Sequence, residues 1–163
     1  MAELSGRGVA IEASNTASID ATQRHILGTR AFDTSGNEYI YLKGLDSTVD
    51  GSWVSFDEAH VTTLLVADAI GRVAIACAIT VTDTFGWYII YGYKVKALAV
   101  DDGDCAADVA LYATSSAAKV DDAHVTGDLI VGAISRVAET VTADQISVEL
   151  TYPCIHNDDN LVT

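Results

Sequence analysis

The run Gly86-Trp87-Tyr88-Ile89-Ile90-Tyr91-Gly92-Tyr93 puts four of the chain's aromatic residues (two Trp, seven Tyr and three Phe in all) into eight positions. Aromatic and β-branched residues at this density fit a pleated, largely buried strand. The run offers no nucleophile, metal ligand or phosphate cradle. It points toward packing and contact, and away from chemistry.

The rest of the composition agrees. A chain of 163 residues is long enough to bury a core without metal or disulfide staples. Half of it is hydrophobic, its mean hydropathy is +0.26 and only 20% is charged, yet the formal net charge is −14. So much apolar content without a membrane-length span suggests a surface covered by another protein chain. The acid surplus, 23 Asp plus Glu against 9 Lys plus Arg, would repel phosphates, so nucleic acid is not an expected partner. Met1–Arg7 has no apolar h-region, and a secretory signal is not expected. Cys77, Cys105 and Cys154 are odd in number and widely spaced, which reads as buried free thiols rather than a disulfide framework or zinc site.

Along the chain, residues 1–27 are rich in Ser, Thr, Asn and Ala and lack aromatics. They read as an extended N-terminal arm, with Val9-Ala10-Ile11 as a short strand. Residues 28–157 read as a β-rich domain and 158–163 as a short tail. Arg30–Asp33 and Glu38–Lys43, separated by Thr34-Ser35-Gly36-Asn37, form a hairpin pattern. Trp53–Phe56 is a further short strand. Asp57 to Ile70 holds the one helix candidate, capped by Asp57, with Val61, Leu64 and Leu65 at helical spacings. Val73–Thr82 alternates large with small for ten residues, which predicts a strand with Val73, Ile75, Cys77, Ile79 and Val81 on one face. Strands are also expected at Lys94–Val100, Val109–Tyr112, Leu129–Ile134 and Ile146–Tyr152, with Pro153 ending the last. Short strands at regular spacing predict a single compact β-sandwich or barrel-like domain with an N-terminal arm and at most one short helix.

Candidate chemistry is sparse. Asp101-Asp102-Gly103-Asp104 with Asp108 could offer oxygens to calcium, but the spacing is not that of an EF-hand, and a solvated acidic turn is the simpler reading. His25, His60, His124 and His156 are scattered, and each reads as a surface histidine. No G-x-S-x-G, H-E-x-x-H, P-loop or G-x-G-x-x-G is present, so no enzyme activity and no cofactor are expected. Tyr39/Tyr41 and Tyr91/Tyr93 lie two residues apart on single strand faces, which suits either cross-strand packing or an interface patch. For Trp87 the core is the expected place.

The order of segments adds to this. Leu27–Ala31, Gly36–Gly44, Trp53–Asp57, Gly71–Ala76, Gly86–Gly92 and Leu111-Tyr112 come in turn, then Val120–Asp122, Gly127–Ala133 and Leu150–Pro153. This succession resembles the small capsid decoration (cement) proteins of tailed bacteriophages over roughly Leu27 to Asn157. The resemblance implies a β-rich, non-enzymatic protein without cofactor. It would be made in the bacterial host cytoplasm and bind the outer capsid surface in many copies. Its implied partners are the major capsid protein and other copies of itself, a trimer before a dimer. Many weak contacts repeated over a shell bind through valency. With the acids facing solvent, the expected contact residues are Arg7, Arg24 and Arg30, joined by Tyr39 and Tyr41. The alternatives are a virion adhesion or fibre-anchoring module, which would put aromatics on loop tips, and a small β-fold enzyme, which would show a pocket with a polar cluster.

Overall fold

Alternating side chains become pleated strands, and strands make up nearly all the regular structure. The computed structural model describes residues 9–10, 13–100, 105–138 and 144–157. The first strands are β1 (Val9–Ala10), β2 (Ile19–Asp20), β3 (Arg30–Phe32), β4 (Glu38–Lys43), β5 (Trp53–Phe56) and β6 (Thr62–Leu64). β7 (Gly71–Ala76), β8 (Phe85–Leu98), β9 (Ala110–Ala113), β10 (Val120–Asp121), β11 (Leu129–Val137) and β12 (Gln145–Ile155) follow. A four-residue helical turn, α1 (Ala13–Thr16), precedes β2. The all-β expectation holds.

All twelve strands belong to one hydrogen-bonded sheet, whose main path runs β1-β3-β4-β8-β7-β12-β11-β9-β10, with β5 and β6 branching from β7. Among the described strands the pairing is antiparallel except between β1 and β3. The sheet curls until its β5–β6 branch meets the turns around β9 and β10. There the Trp53 N–H donates to Ala118 O at 3.1 Å, the Ala118 N–H to Leu65 O at 2.8 Å and the Ala67 N–H to Thr114 O at 2.8 Å. The Trp53 indole N–H donates to Leu98 O at 3.1 Å. Inside the curl lies the main core, with Tyr39, Tyr41, Trp53, Trp87, Leu111, Val120, Val148 and Leu150. Full burial of each large side chain contributes about 1.5–3 kcal/mol.

The opposite face of β4, β5, β7 and β8 carries a second cluster: Ile40, Leu42, Val54, Phe56, Ala74, Ala76, Tyr88 and Ile90. Consecutive residues of β4 and β8 therefore pack on opposite sides, and both sides are covered. This explains the unbroken apolar run that opens β8. Hydrogen bonds at this second layer run between the Tyr88 and Thr80 hydroxyls, 3.0 Å apart, and from the Thr62 hydroxyl to Lys43 O at 2.9 Å.

The hairpin forms where its turn residues place it. Asp33 closes the β3–β4 loop by accepting from the Ser35 and Asn37 backbone N–H groups at 2.8 and 2.9 Å, and Gly36 takes φ 86°. Four expectations need correction. Residues 57–70 are not helical: His60 and Asp68 adopt positive φ, and β6 occupies the middle of the segment. The strand expected over 73–82 stops at Ala76, beyond which Ile79 and Val81 point outward, 60% and 49% exposed. Pro153 does not end the last strand, because it lies in a bulge where no ladder bond is required of it. Within the segment read as an arm, β2 pairs with β8 and Asp20 is buried, so this stretch is built into the domain.

One feature of the topology positions a site. β8 and β12 pair from Leu98↔Gln145 to Tyr91↔Thr151 and then separate. β7 fills the gap, pairing Ile75 and Ala76 with Ile89 and Tyr88 of β8, and Arg72 and Gly71 with Cys154 and Ile155 of β12. Register shifts lie on both sides of the fork, and Lys94 and Tyr152 take φ 56° and 53° beside them. Such bulges bend strands apart. Gly92 sits at the divergence with φ 155°, where a Cβ would fall 2.2 Å from Asn37 Oδ1.

Candidate functional site

The residues expected to make contacts are dispersed. Tyr39 and Tyr41 lie in the main core, 5% and 0% exposed, and are not surface groups. Their phenols serve the interior: the Tyr39 hydroxyl donates to Asp33 Oδ2 at 2.9 Å and that of Tyr41 to Asp20 Oδ2 at 2.7 Å. Burial, aided by the Asp20 hydrogen bond, pushes the Tyr41 phenol up to about 12. The same causes, with Asp33 as partner, raise that of Tyr39. Arg24 is exposed and paired with Asp20 at 2.8 Å. Arg7 and the acidic turn at 101–104 lie outside the described residues. Of the four that are described, Tyr39 borders a recess beside Cys77 with its ring buried, and Arg30 reaches a separate recess from the surface.

That recess is a groove of about 260 Å³ at the fork of β7, β8 and β12. Ile90, Val73 and Pro153 form its apolar part, and Arg30, Arg72, Phe56, Tyr152 and Cys154 complete the lining. Each guanidinium lies against a ring: Arg30 Cζ is 5.7 Å from the Tyr152 centroid and Arg72 Cζ is 6.0 Å from that of Phe56. Arg30 also pairs with the buried Glu38, whose other oxygen accepts the Tyr152 hydroxyl at 2.7 Å. That bond raises the Tyr152 phenol, so the group remains a donor. Tyr152 continues into an aromatic row: its ring is 5.4 Å from Tyr91, which is 6.3 Å from Tyr93. Tyr93 and Tyr152 are more than half exposed.

The two arginines differ in charge balance. Arg24, Arg30, Lys43, Lys96, Lys119 and Arg136 each form an ion pair with a carboxylate. Arg72 has no such pair among the described residues and rests on Phe56 instead. In a chain of net charge −14, an uncancelled guanidinium at a groove rim is a local attractor for carboxylates.

The thiols also separate by position. Cys77 borders a second recess of about 220 Å³ beside Lys96 and Asp50, and burial pushes its thiol up to about 12. Cys105 is buried, 1% exposed. Cys154 is half-buried on the groove, with Sγ 3.3 Å from His156 Nε2. All three are free of disulfides. Of the other histidines, His25 packs its ring 5.0 Å from Tyr41 and 5.2 Å from Trp87, His60 stacks on Phe56, and His124 meets Tyr112. No group of three or more metal-ligating side chains occurs among the described residues.

Of the residues lining the groove, Arg30 was among those expected from the sequence to make contacts, whereas Arg72, Tyr152 and Cys154 were not. The pairing of Arg72 with Cys154 depends on a long-range register, and a lone Gly71-Arg72 carries no local signal of it. No protein-family model, curated protein or solved structure matches this chain.

Proposed function

We propose that this chain is a structural protein of a phage virion that binds the outer capsid surface in many copies, and that the groove at the fork faces the shell. The observation that carries the binding surface is Arg72: a guanidinium on an aromatic ring, without an ion pair among the described residues, at the edge of an apolar groove beside the exposed Tyr152. Arg and Tyr in this setting supply much of the contact energy where proteins meet. The occupant fitting this chemistry is an acidic segment of the major capsid protein, its carboxylate on Arg72. The virion assignment itself rests on the succession of segments from Leu27 to Pro153. Capsid stabilisation then follows from valency, each copy adding a weak contact.

The groove takes over the docking role expected of the N-terminal arginines. Residues 19–20 are part of the sheet, so truncation through residue 26 would disturb folding as well as contact. The cleaner experiment mixes purified undecorated shells with wild type, Arg72→Glu or Lys96→Glu protein and measures sedimented copies per shell. Wild type and Lys96→Glu should load in many copies, and Arg72→Glu should not. Equal loading of both variants would remove the groove from the contact, and failure of wild type to load would overturn the virion reading.

A further inference from the structure

We propose that Cys154 is a site of covalent thiol modification, exchanging with small anionic disulfides that Arg72 at the groove rim holds in place. The proposal is independent of what the protein docks on. Three observations converge on the sulfur. Cys154 is the half-buried thiol that lines the groove, while Cys105 is buried and the Cys77 thiol is pushed up by burial. The His156 Nε2 lies 3.3 Å from Sγ, within reach of its proton. Arg72 is the direct cross-strand neighbour of Cys154, on the same face of the sheet, and Arg30 lines the same groove.

Partial exposure in an electropositive setting is what distinguishes reactive from inert thiols. The recess of about 260 Å³ is large enough for a small disulfide, and Arg72, without a carboxylate partner among the described residues, favours one bearing carboxylates. In the exchange His156 accepts the Sγ proton, and the resulting thiolate attacks one sulfur of the disulfide. A bond forms between Sγ and that sulfur, the original S–S bond breaks, and its electron pair leaves with the second sulfur. The departing thiolate takes the proton from His156. The small disulfide is the oxidant, so the products are one mixed disulfide on the protein and one free thiol.

The experiment treats the full-length chain with dithiobis(nitrobenzoate), which is anionic, and with cystamine, which is cationic. Each rate is normalised to that of free cysteine, and adducts are mapped by mass spectrometry. We expect one adduct per chain, at Cys154, with a preference for the anionic reagent of roughly tenfold from local charge. His156→Gln should slow both reagents alike. Arg72→Gln should erase much of the charge preference, and Arg72→Lys should keep it. Cys154→Ser should give no adduct. Modification of Cys77 or Cys105 at a similar rate, a disulfide between two copies in place of the adduct, or a preference unchanged in Arg72→Gln would each overturn the proposal.

Discussion

The Tyr41 hydroxyl donates a 2.7 Å hydrogen bond to Asp20, joining the N-terminal segment to the centre of the main core. Asp20 is 7% exposed and also meets Arg24, and the neighbouring His25 ring packs on Tyr41 and Trp87. Removing the hydroxyl leaves a buried carboxylate short of one donor. Tyr41→Phe should therefore lose about 1–3 kcal/mol of stability in urea titration. Deletion of residues 1–26, which also removes β2, should cost more than the point variant. A deletion that leaves the midpoint unchanged would mean this segment is dispensable to the fold.

The Asp33 carboxylate gives the hairpin a pH dependence. Burial pushes this carboxyl up, but hydrogen bonds from the Asn37 side chain and backbone, the Tyr39 hydroxyl and the Ser35 N–H outweigh it and hold it below 3.8. A folded value below the unfolded one means that ionised Asp33 stabilises the protein above 3.8, and that this contribution fades as the pH falls through the folded value. Asp33→Asn should be less stable than wild type at pH 7, and the gap should close in acid. Paired urea titrations across that range measure it, and a gap independent of pH would contradict the assignment.

Gly92 is held by conformation and by space. Its φ of 155° is unfavourable for an L side chain, and a Cβ would strike the Asn37 amide. Gly92→Ala should cost about 1–3 kcal/mol, the usual range for such strain. Asn37→Ala loses its own bond to Asp33, so the clash is read as the coupling between the two substitutions, and the backbone part remains in both Gly92→Ala backgrounds. Thermal unfolding of both single variants and the double variant separates these contributions.

Glu38 is buried between two donors from different strands, Arg30 on β3 and Tyr152 on β12. Losing either one makes the carboxylate more dependent on the other. A double-mutant cycle of Arg30→Gln and Tyr152→Phe should show coupling of about 0.5–3 kcal/mol. Simple additivity would show that the two donors act independently.

What could be read from the sequence follows the range of the interactions involved. The β3–β4 hairpin was legible because Asp33, Gly36 and Asn37 fix it within a few positions of one another. Trp87 was legible because an aromatic run of that density has to be buried. The helix expected over 57–70 failed because Val61, Leu64 and Leu65 supply helical spacing while His60 and Asp68 take positive φ. The His60 carbonyl accepts from the Lys43 N–H and the Asp68 N–H donates to Asp128, partners that the local spacing does not show. Tyr39 and Tyr41 were misplaced for a related reason: on a strand covered on both sides, alternation does not reveal which face meets solvent. The groove was illegible altogether, since it exists only where β7, β8 and β12 meet.

The fork beneath the groove is three strands, β7, β8 and β12, held by backbone hydrogen bonds, and this gives it an evolutionary consequence. The position of the recess is set by their register, while side chains from these strands and from β3 and β5 line it. Exchanging Arg72 or Cys154, neither of which holds the buried Glu38, would rewrite what the recess recognises and leave the fork in place. A one-residue slip of β7, by contrast, would turn Arg72 into the core and close the site. Descendants of this chain could thus trade partners by point substitution while inheriting the same cleft.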